Sequence, residues 1–108
     1  IEEDAFNGCS GLTSIDIPEG VTNIGRSAFK GSGLTSLRIP EGVTSIERTT
    51  FYGCSNFTSI NIPENVTSIE EYAFYGCINL DVTINNSENN VTIGNNAFQG
   101  CKSVTYLK

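Results

Sequence analysis

Five phenylalanines recur along the 108-residue chain at spacings of 23, 22, 23 and 24 residues, and this period constrains the fold more than any other feature. They are Phe6, Phe29, Phe51, Phe74 and Phe98; Phe57 falls in a different column. A small residue precedes each one: Ala5, Ala28, Thr50, Ala73 and Ala97. A glycine follows two positions later, at Gly8, Gly31, Gly53, Gly76 and Gly100, and next to it stand Cys9, Ser32, Cys54, Cys77 and Cys101. An apolar column follows, read as Leu12, Leu34, Phe57, Leu80 and Val104. A unit this short cannot bury its own apolar face and must stack on its neighbours. The units run over about 1–23, 24–45, 46–68, 69–92 and, in part, 93–108.

Ile15-Asp16-Ile17-Pro18 recurs as Leu37-Arg38-Ile39-Pro40 and Ile60-Asn61-Ile62-Pro63. Its alternation predicts a short strand, stopped by a proline that has no N–H for the ladder. Val21-Thr22, Val43-Thr44, Val66-Thr67 and Val91-Thr92 lead to Ile24, Ile46, Ile69 and Ile93 as a second extended piece. The Ala-Phe segment predicts a single helical or 3-10 turn with a left-handed exit at the glycine. Stacking aligns the strands into parallel sheets with rungs ~4.8 Å apart, and turns the Phe column into an internal ladder. The expected fold is an α/β-type repeat solenoid, mostly strand and irregular structure.

The pattern Ile-Gly-x-x-Ala-Phe-x-Gly-Cys-x-x-Leu-Thr-Ser-Ile-x-Ile-Pro resembles the BspA-like class of leucine-rich repeats. Ile24-Gly25-Arg26-Ser27-Ala28-Phe29 and Ile93-Gly94-Asn95-Asn96-Ala97-Phe98 carry the Phe-bearing half, and the resemblance covers the entire chain. It implies a curved solenoid whose concave sheet comes from the L-x-x-I-x-I segment. It also implies an extracellular or cell-surface location and adhesion to host or partner-cell proteins. Because Ile1 opens a unit and Lys108 stops within a strand, the segment reads as part of a longer array.

Composition removes several function classes. The net charge of -6, from 12 acidic and 6 basic residues, argues against nucleic acid and anionic membranes. There is no apolar run of the ~20 residues needed to span a bilayer. The absence of His removes the commonest general base and metal ligand. No triad, phosphate loop or cleft-borne carboxylate pair is legible. No catalysis, cofactor or metal site is expected.

The four cysteines occupy one column, which Ser32 shares. Parallel Cβ vectors are unfavourable for bridging. Cys9 and Cys101 stand four rungs apart, about 19 Å, too far to share a zinc ion. They are read as buried free thiols packing as small hydrophobes. Glu19, Glu41 and Glu64 form a solvated acidic column, and Thr13, Thr35 and Thr58 a hydroxyl ladder along the stack. Four Asn-x-Ser/Thr sequons, at Asn56, Asn65, Asn85 and Asn90, carry little weight as glycosylation sites. Asn85–Asn90 lengthens one loop and reads as an idle bulge, with a functional loop as the second reading.

The expected function is a non-enzymatic protein-interaction module, monomeric, that binds a host extracellular or cell-surface protein. A passive spacer presenting another domain is the alternative, and a glycan-binding solenoid a distant one. The expected face consists of the strand neighbours of the core residues: Ser14, Asp16, Ser36, Arg38, Ser59, Asn61, Asp81, Thr83, Tyr106 and Lys108. Core columns are set by packing, whereas this one is free to be set by a partner.

Overall fold

A computed structural model describes residues 1–108 and shows a parallel-stranded β-solenoid. The strands are β1 (Ser36–Arg38), β2 (Ser45–Ile46), β3 (Ser59–Ile62), β4 (Ser68–Ile69), β5 (Asp81–Ile84), β6 (Thr92–Ile93) and β7 (Ser103–Tyr106). They form a four-stranded sheet in the order β1-β3-β5-β7 and a three-stranded sheet in the order β2-β4-β6, all parallel. Both extended pieces of the repeat therefore pair across units. The first unit's Ser14–Ile17 is not a regular strand, although the Thr35 N–H still reaches the Thr13 carbonyl at 3.1 Å.

The third wall departs from the expected helical turn. Each Phe sits in a run of turns built on a two-residue alternation. Phe6, Phe29, Phe51 and Phe74 donate their N–H groups to Ala28, Thr50, Ala73 and Ala97 of the next coil at 2.7–2.9 Å, and the residues two before and two after do the same. The residues between them, such as Ala5, Asn7 and Cys9, bond three positions back within their own turn. This alternation requires a left-handed residue on each side of the Phe. Gly8, Gly31, Gly53, Gly76 and Gly100 supply one at φ 66–90°, while Asp4, Ser27, Thr49, Tyr72 and Asn96 supply the other at φ 55–60°. The Phe-wall N–H groups point toward later coils. Those of the four-stranded sheet point toward earlier ones, as in Thr58 to Thr35 and Asp81 to Thr58. Peptide dipoles of ~3.5 D thus oppose one another across the section and partly cancel.

The walls enclose one apolar cluster. The Phe6–Phe29, Phe29–Phe51, Phe51–Phe74 and Phe74–Phe98 centroids are 5.4, 5.6, 5.1 and 5.7 Å apart, with rings within 12° of parallel. Phe29, Phe51 and Phe74 are wholly buried, each contributing roughly 1.5–3 kcal/mol. Phe57 leans on Phe51 from the neighbouring column, tilted by 41°.

The fifth unit corrects the expected register. Val104 pairs with Val82 and Ile60, not with the Leu80 and Phe57 column. Between Cys54 and Ile60 lie five residues, between Cys77 and Val82 four, and between Cys101 and Val104 only two. The turn shortens, and the strand advances under the pull of its apolar residues. Tyr106 therefore pairs with Ile84 in the inward column and packs against the core, while Ser103 and Thr105 face outward. Burial, then the Glu88 carboxylate, raises the Tyr106 phenol above its ordinary value. Lys108 lies beyond the strand and meets Glu64 at 2.9 Å.

Candidate functional site

The outward column of the four-stranded sheet brings the remaining expected residues together. Ser36, Ser59 and Asp81 stand on successive rungs, as do Arg38, Asn61 and Thr83. Ser14 and Asp16 extend both columns onto the first unit, where they are exposed. Two shallow grooves lie on this face. One, of about 490 Å³, is lined by Ser36, Arg38, Ser59 and Asn61 together with Glu41 and Asn85; the other, of about 310 Å³, by Ser14, Asp16, Ser36 and Arg38. The corrected register adds Ser103, whose Oγ donates to the Asp81 carboxylate at 2.6 Å. Arg38 forms an ion pair with Glu19, so the acidic column after the proline borders this face. The arrangement presents hydroxyl, amide and charged side chains on one surface.

The Asn85–Asn90 loop is tied to the preceding coil by hydrogen bonds. Asn85 N–H continues the ladder to the Ile62 carbonyl, the Asn86 amide donates to the Glu64 carbonyl at 3.2 Å, and Glu88–Asn90 forms a 3-10 turn. Asn65 likewise donates to the Glu41 carbonyl at 3.0 Å. The threonine hydroxyls hydrogen-bond along the stack through the backbone of the preceding coil. Thr58 Oγ1 donates to the Thr35 carbonyl, and Thr35 Oγ1 to that of Thr13, so the hydroxyls bond backbone rather than one another.

All four cysteines are free; Cys54 and Cys77 are buried, Cys101 is half-buried, and Cys9 is exposed at the first coil. Their thiols do more than fill space. Cys54, Cys77 and Cys101 donate to the carbonyls of Phe29, Phe51 and Phe74, each one coil earlier, at 3.1, 3.0 and 3.4 Å. The neighbouring Cys54 thiol, then burial, raises Cys77 well above the ordinary thiol value. The proximity of Cys77 holds Cys54 down, to about 7, against the opposing effect of its burial. Burial alone pushes Cys101 up to about 11. No three Cys, Asp or Glu side chains converge as metal ligands would. No helix is long and apolar enough to cross a membrane.

A surface cluster of tyrosines escaped the sequence reading. Tyr52 and Tyr75 follow Phe51 and Phe74 directly, so each projects to the outside of the Phe wall. Their rings stack at 5.0 Å, and Tyr72 meets Tyr75 edge-on at 5.4 Å. The Lys30 ammonium sits 5.0 Å over the Tyr52 ring. The signal was present in the alternation about each Phe, which aligns the residue after Phe51 with the residue after Phe74 one rung on.

A solenoid with an internal phenylalanine ladder, parallel sheets and a variable outward polar column is a repeat protein of the leucine-rich kind. The family model described as BspA type leucine rich repeat region matches residues 1–105 in six copies, and the chain belongs to that family. The Phe ladder itself has five rungs. Among solved structures, a leucine rich cell surface protein from Faecalibacterium prausnitzii A2-165 is similar over 100% of this chain and 29% of its own, at 28% identity and a TM-score of 0.84. A leucine-rich repeat protein from Bacteroides ovatus ATCC 8483 shares the fold over 98% of this chain and 46% of its own, at 24% identity and a TM-score of 0.56. The chain thus spans less than half the length of either. No curated protein matches.

Proposed function

We propose that this chain is a non-enzymatic protein-interaction module of a cell-surface protein, and that it engages its partner through the outward face of the four-stranded sheet. One observation carries the reading. Along the column Asp16, Arg38, Asn61 and Thr83, residue type changes from rung to rung, with Thr105 repeating Thr83 on the last, while the flanking inward columns stay apolar. Packing sets the inward residues and leaves the outward ones free to match a ligand. Both grooves lie on this face, and the similar F. prausnitzii protein is a cell surface protein. The partner is a host extracellular or partner-cell protein, and the role adhesive. The face is small and polar, without the aromatic anchors that dominate tight interfaces. Each module therefore binds weakly, and tandem copies gain strength through effective concentration.

The test is a pull-down of matrix and cell-surface proteins on the immobilised chain, repeated with Arg38→Ala/Asn61→Ala. Saturable capture that the variant loses at unchanged melting temperature supports the sheet face. Capture that the variant retains moves the site elsewhere. An absence of any saturable partner favours a passive spacer.

A further inference from the structure

Along the outside of the Phe wall runs a column of Asn7, Lys30, Tyr52, Tyr75 and Gln99. The carbonyls of the last four accept the N–H groups of Gly8, Gly31, Gly53 and Gly76, each one coil earlier. Tyr52 and Tyr75 are the phenols of this column, and they are neighbours. Phe51 N–H donates to the Ala73 carbonyl at 2.8 Å and Gly53 N–H to the Tyr75 carbonyl at 2.7 Å. These two bonds bracket Tyr52 and fix its rung against that of Tyr75. The rings stack at 5.0 Å, within 19° of parallel.

Tyr72 completes the cluster, 5.4 Å from Tyr75 and 6.4 Å from Tyr52. It adopts φ 57°, a left-handed conformation that bulky side chains seldom take. Its edge-on ring backs Tyr75, where the equivalent positions carry the smaller Asp4, Ser27, Thr49 and Asn96.

Neither the core nor the proposed sheet interface uses these rings. Tyr52 and Tyr75 are partly exposed, and their hydroxyls make no hydrogen bond to protein and are not sealed from solvent. The Lys30 ammonium covers Tyr52 on one side, and Gln99 follows Tyr75 on the other. The stack is thus closed at both ends by groups that form no aryl radical, and its two phenols have each other as axial partners. A closed stack leaves no ring face for a ligand, but it holds two oxidisable rings in contact.

We propose that Tyr52 and Tyr75 form an oxidative cross-linking site, joined as a dityrosine by a haem peroxidase charged with hydrogen peroxide. The peroxidase removes one electron and one proton from each phenol. The two tyrosyl radicals couple through a new carbon–carbon bond between ring carbons ortho to the oxygens. Each of those carbons then loses its hydrogen as a proton while its oxygen regains one, which restores both phenols. One peroxide takes up the two electrons and two protons and leaves as two waters. Holding the rings in contact makes coupling within the chain faster than coupling between chains. The product covalently joins the third and fourth coils.

The test treats the dilute chain, with the exposed Cys9 first alkylated, with a haem peroxidase and hydrogen peroxide. A thiol reductant then reverses any disulfide. Dityrosine fluorescence, the loss of two hydrogens from the monomer mass and mapping of the linked peptides read the product. A monomer linked from Tyr52 to Tyr75 is expected. Tyr52→Phe and Tyr75→Phe keep a ring in the stack but remove the oxidisable phenol. Each is expected to lower the yield at least roughly tenfold, and a smaller fall overturns the proposal. Tyr106→Phe, outside the cluster, is expected to leave the yield unchanged. An absence of dityrosine, linkage chiefly between chains, or a link that maps to Tyr72 or Tyr106 also overturns it. The sheet face is untouched by these changes, so the result stands apart from the fate of that interface.

Discussion

The Cys77 thiol donates to the carbonyl oxygen of Phe51, 3.0 Å away in the preceding coil, and the same carbonyl accepts the Cys54 N–H at 3.2 Å. One acceptor thus closes its own turn and holds the next coil in register. Cys54 does the same on Phe29, and Cys101 on Phe74. The cysteine column links the coils as well as filling space between them.

Cys77→Ala removes this donor and leaves a small cavity. It is expected to lower stability by about 1–3 kcal/mol. Cys77→Ser keeps a donor of similar shape and is expected to cost less. Urea denaturation of the two variants checks the order, and an equal cost for both would show that the hydrogen bond contributes nothing.

The thiols are expected to label in the order of their exposure. Cys9 should react with iodoacetamide within minutes in the native protein and Cys101 more slowly, with Cys54 and Cys77 protected until unfolding. Mass spectrometry after labelling in denaturant should count four alkylated sites. A shortfall of two would reveal a disulfide and contradict the free-thiol column.

Alkaline pH is expected to destabilise the fold. Cys77 and Cys101 have folded-state values raised above the ordinary 9.0, Cys101 to about 11. A raised value favours the native state while the thiol is protonated. Their contribution is therefore complete below pH 9 and is lost as pH rises toward 11. Cys54, lowered to about 7, contributes in the opposite sense, and its share is lost as pH falls through that value. Melting temperatures should fall between pH 9 and 11, and the Cys77→Ala/Cys101→Ala variant should flatten that fall. An unchanged pH profile in the variant would rule out these thiols as its cause.

Phe51→Ala, at the centre of the ladder, is expected to cost roughly 3–5 kcal/mol through lost burial and a cavity between Phe29 and Phe74. Phe6 is only partly buried at the first coil, so Phe6→Ala should cost clearly less. Chemical denaturation of both tests the ladder, and equally mild effects would sink it.

Gly94→Ala should destabilise by steric conflict alone. A Cβ there would lie 2.5 Å from the Glu71 amide nitrogen and 2.7 Å from the Glu70 carbonyl carbon. Rigid backbone cannot move aside as a flexible side chain does. Gly20→Ala meets nothing within 4 Å and has no left-handed φ, so it is the matched control. Similar melting temperatures for the two variants would show that the coils are less closely stacked at Gly94.

The period of Phe6, Phe29, Phe51, Phe74 and Phe98 determined the solenoid by itself. Apolar residues repeating on one interval have no way to leave water except by stacking, so the fold class, the parallel strands and the internal ladder were all legible. Pro40 and Pro63 marked strand ends for a local reason, the missing N–H. The outward positions of Ser36, Arg38, Ser59, Asn61, Asp81 and Thr83 followed from strand alternation once Leu37, Ile60 and Val82 were known to face inward.

Tertiary structure decided whatever depended on how one coil meets the next. Tyr106 turned inward because the last turn is two residues short, and pairing with Ile84 buries its ring, a choice that counting from Cys101 could not reveal. The thiol-to-carbonyl bonds depend on a contact between residues 26 positions apart, as in Phe51 and Cys77. The tyrosine cluster depends on which side of a left-handed turn Tyr52, Tyr72 and Tyr75 emerge. Burial of apolar side chains is non-directional and reads directly from composition and period. Hydrogen bonds and ring contacts are directional, and their partners exist only after the coils have stacked.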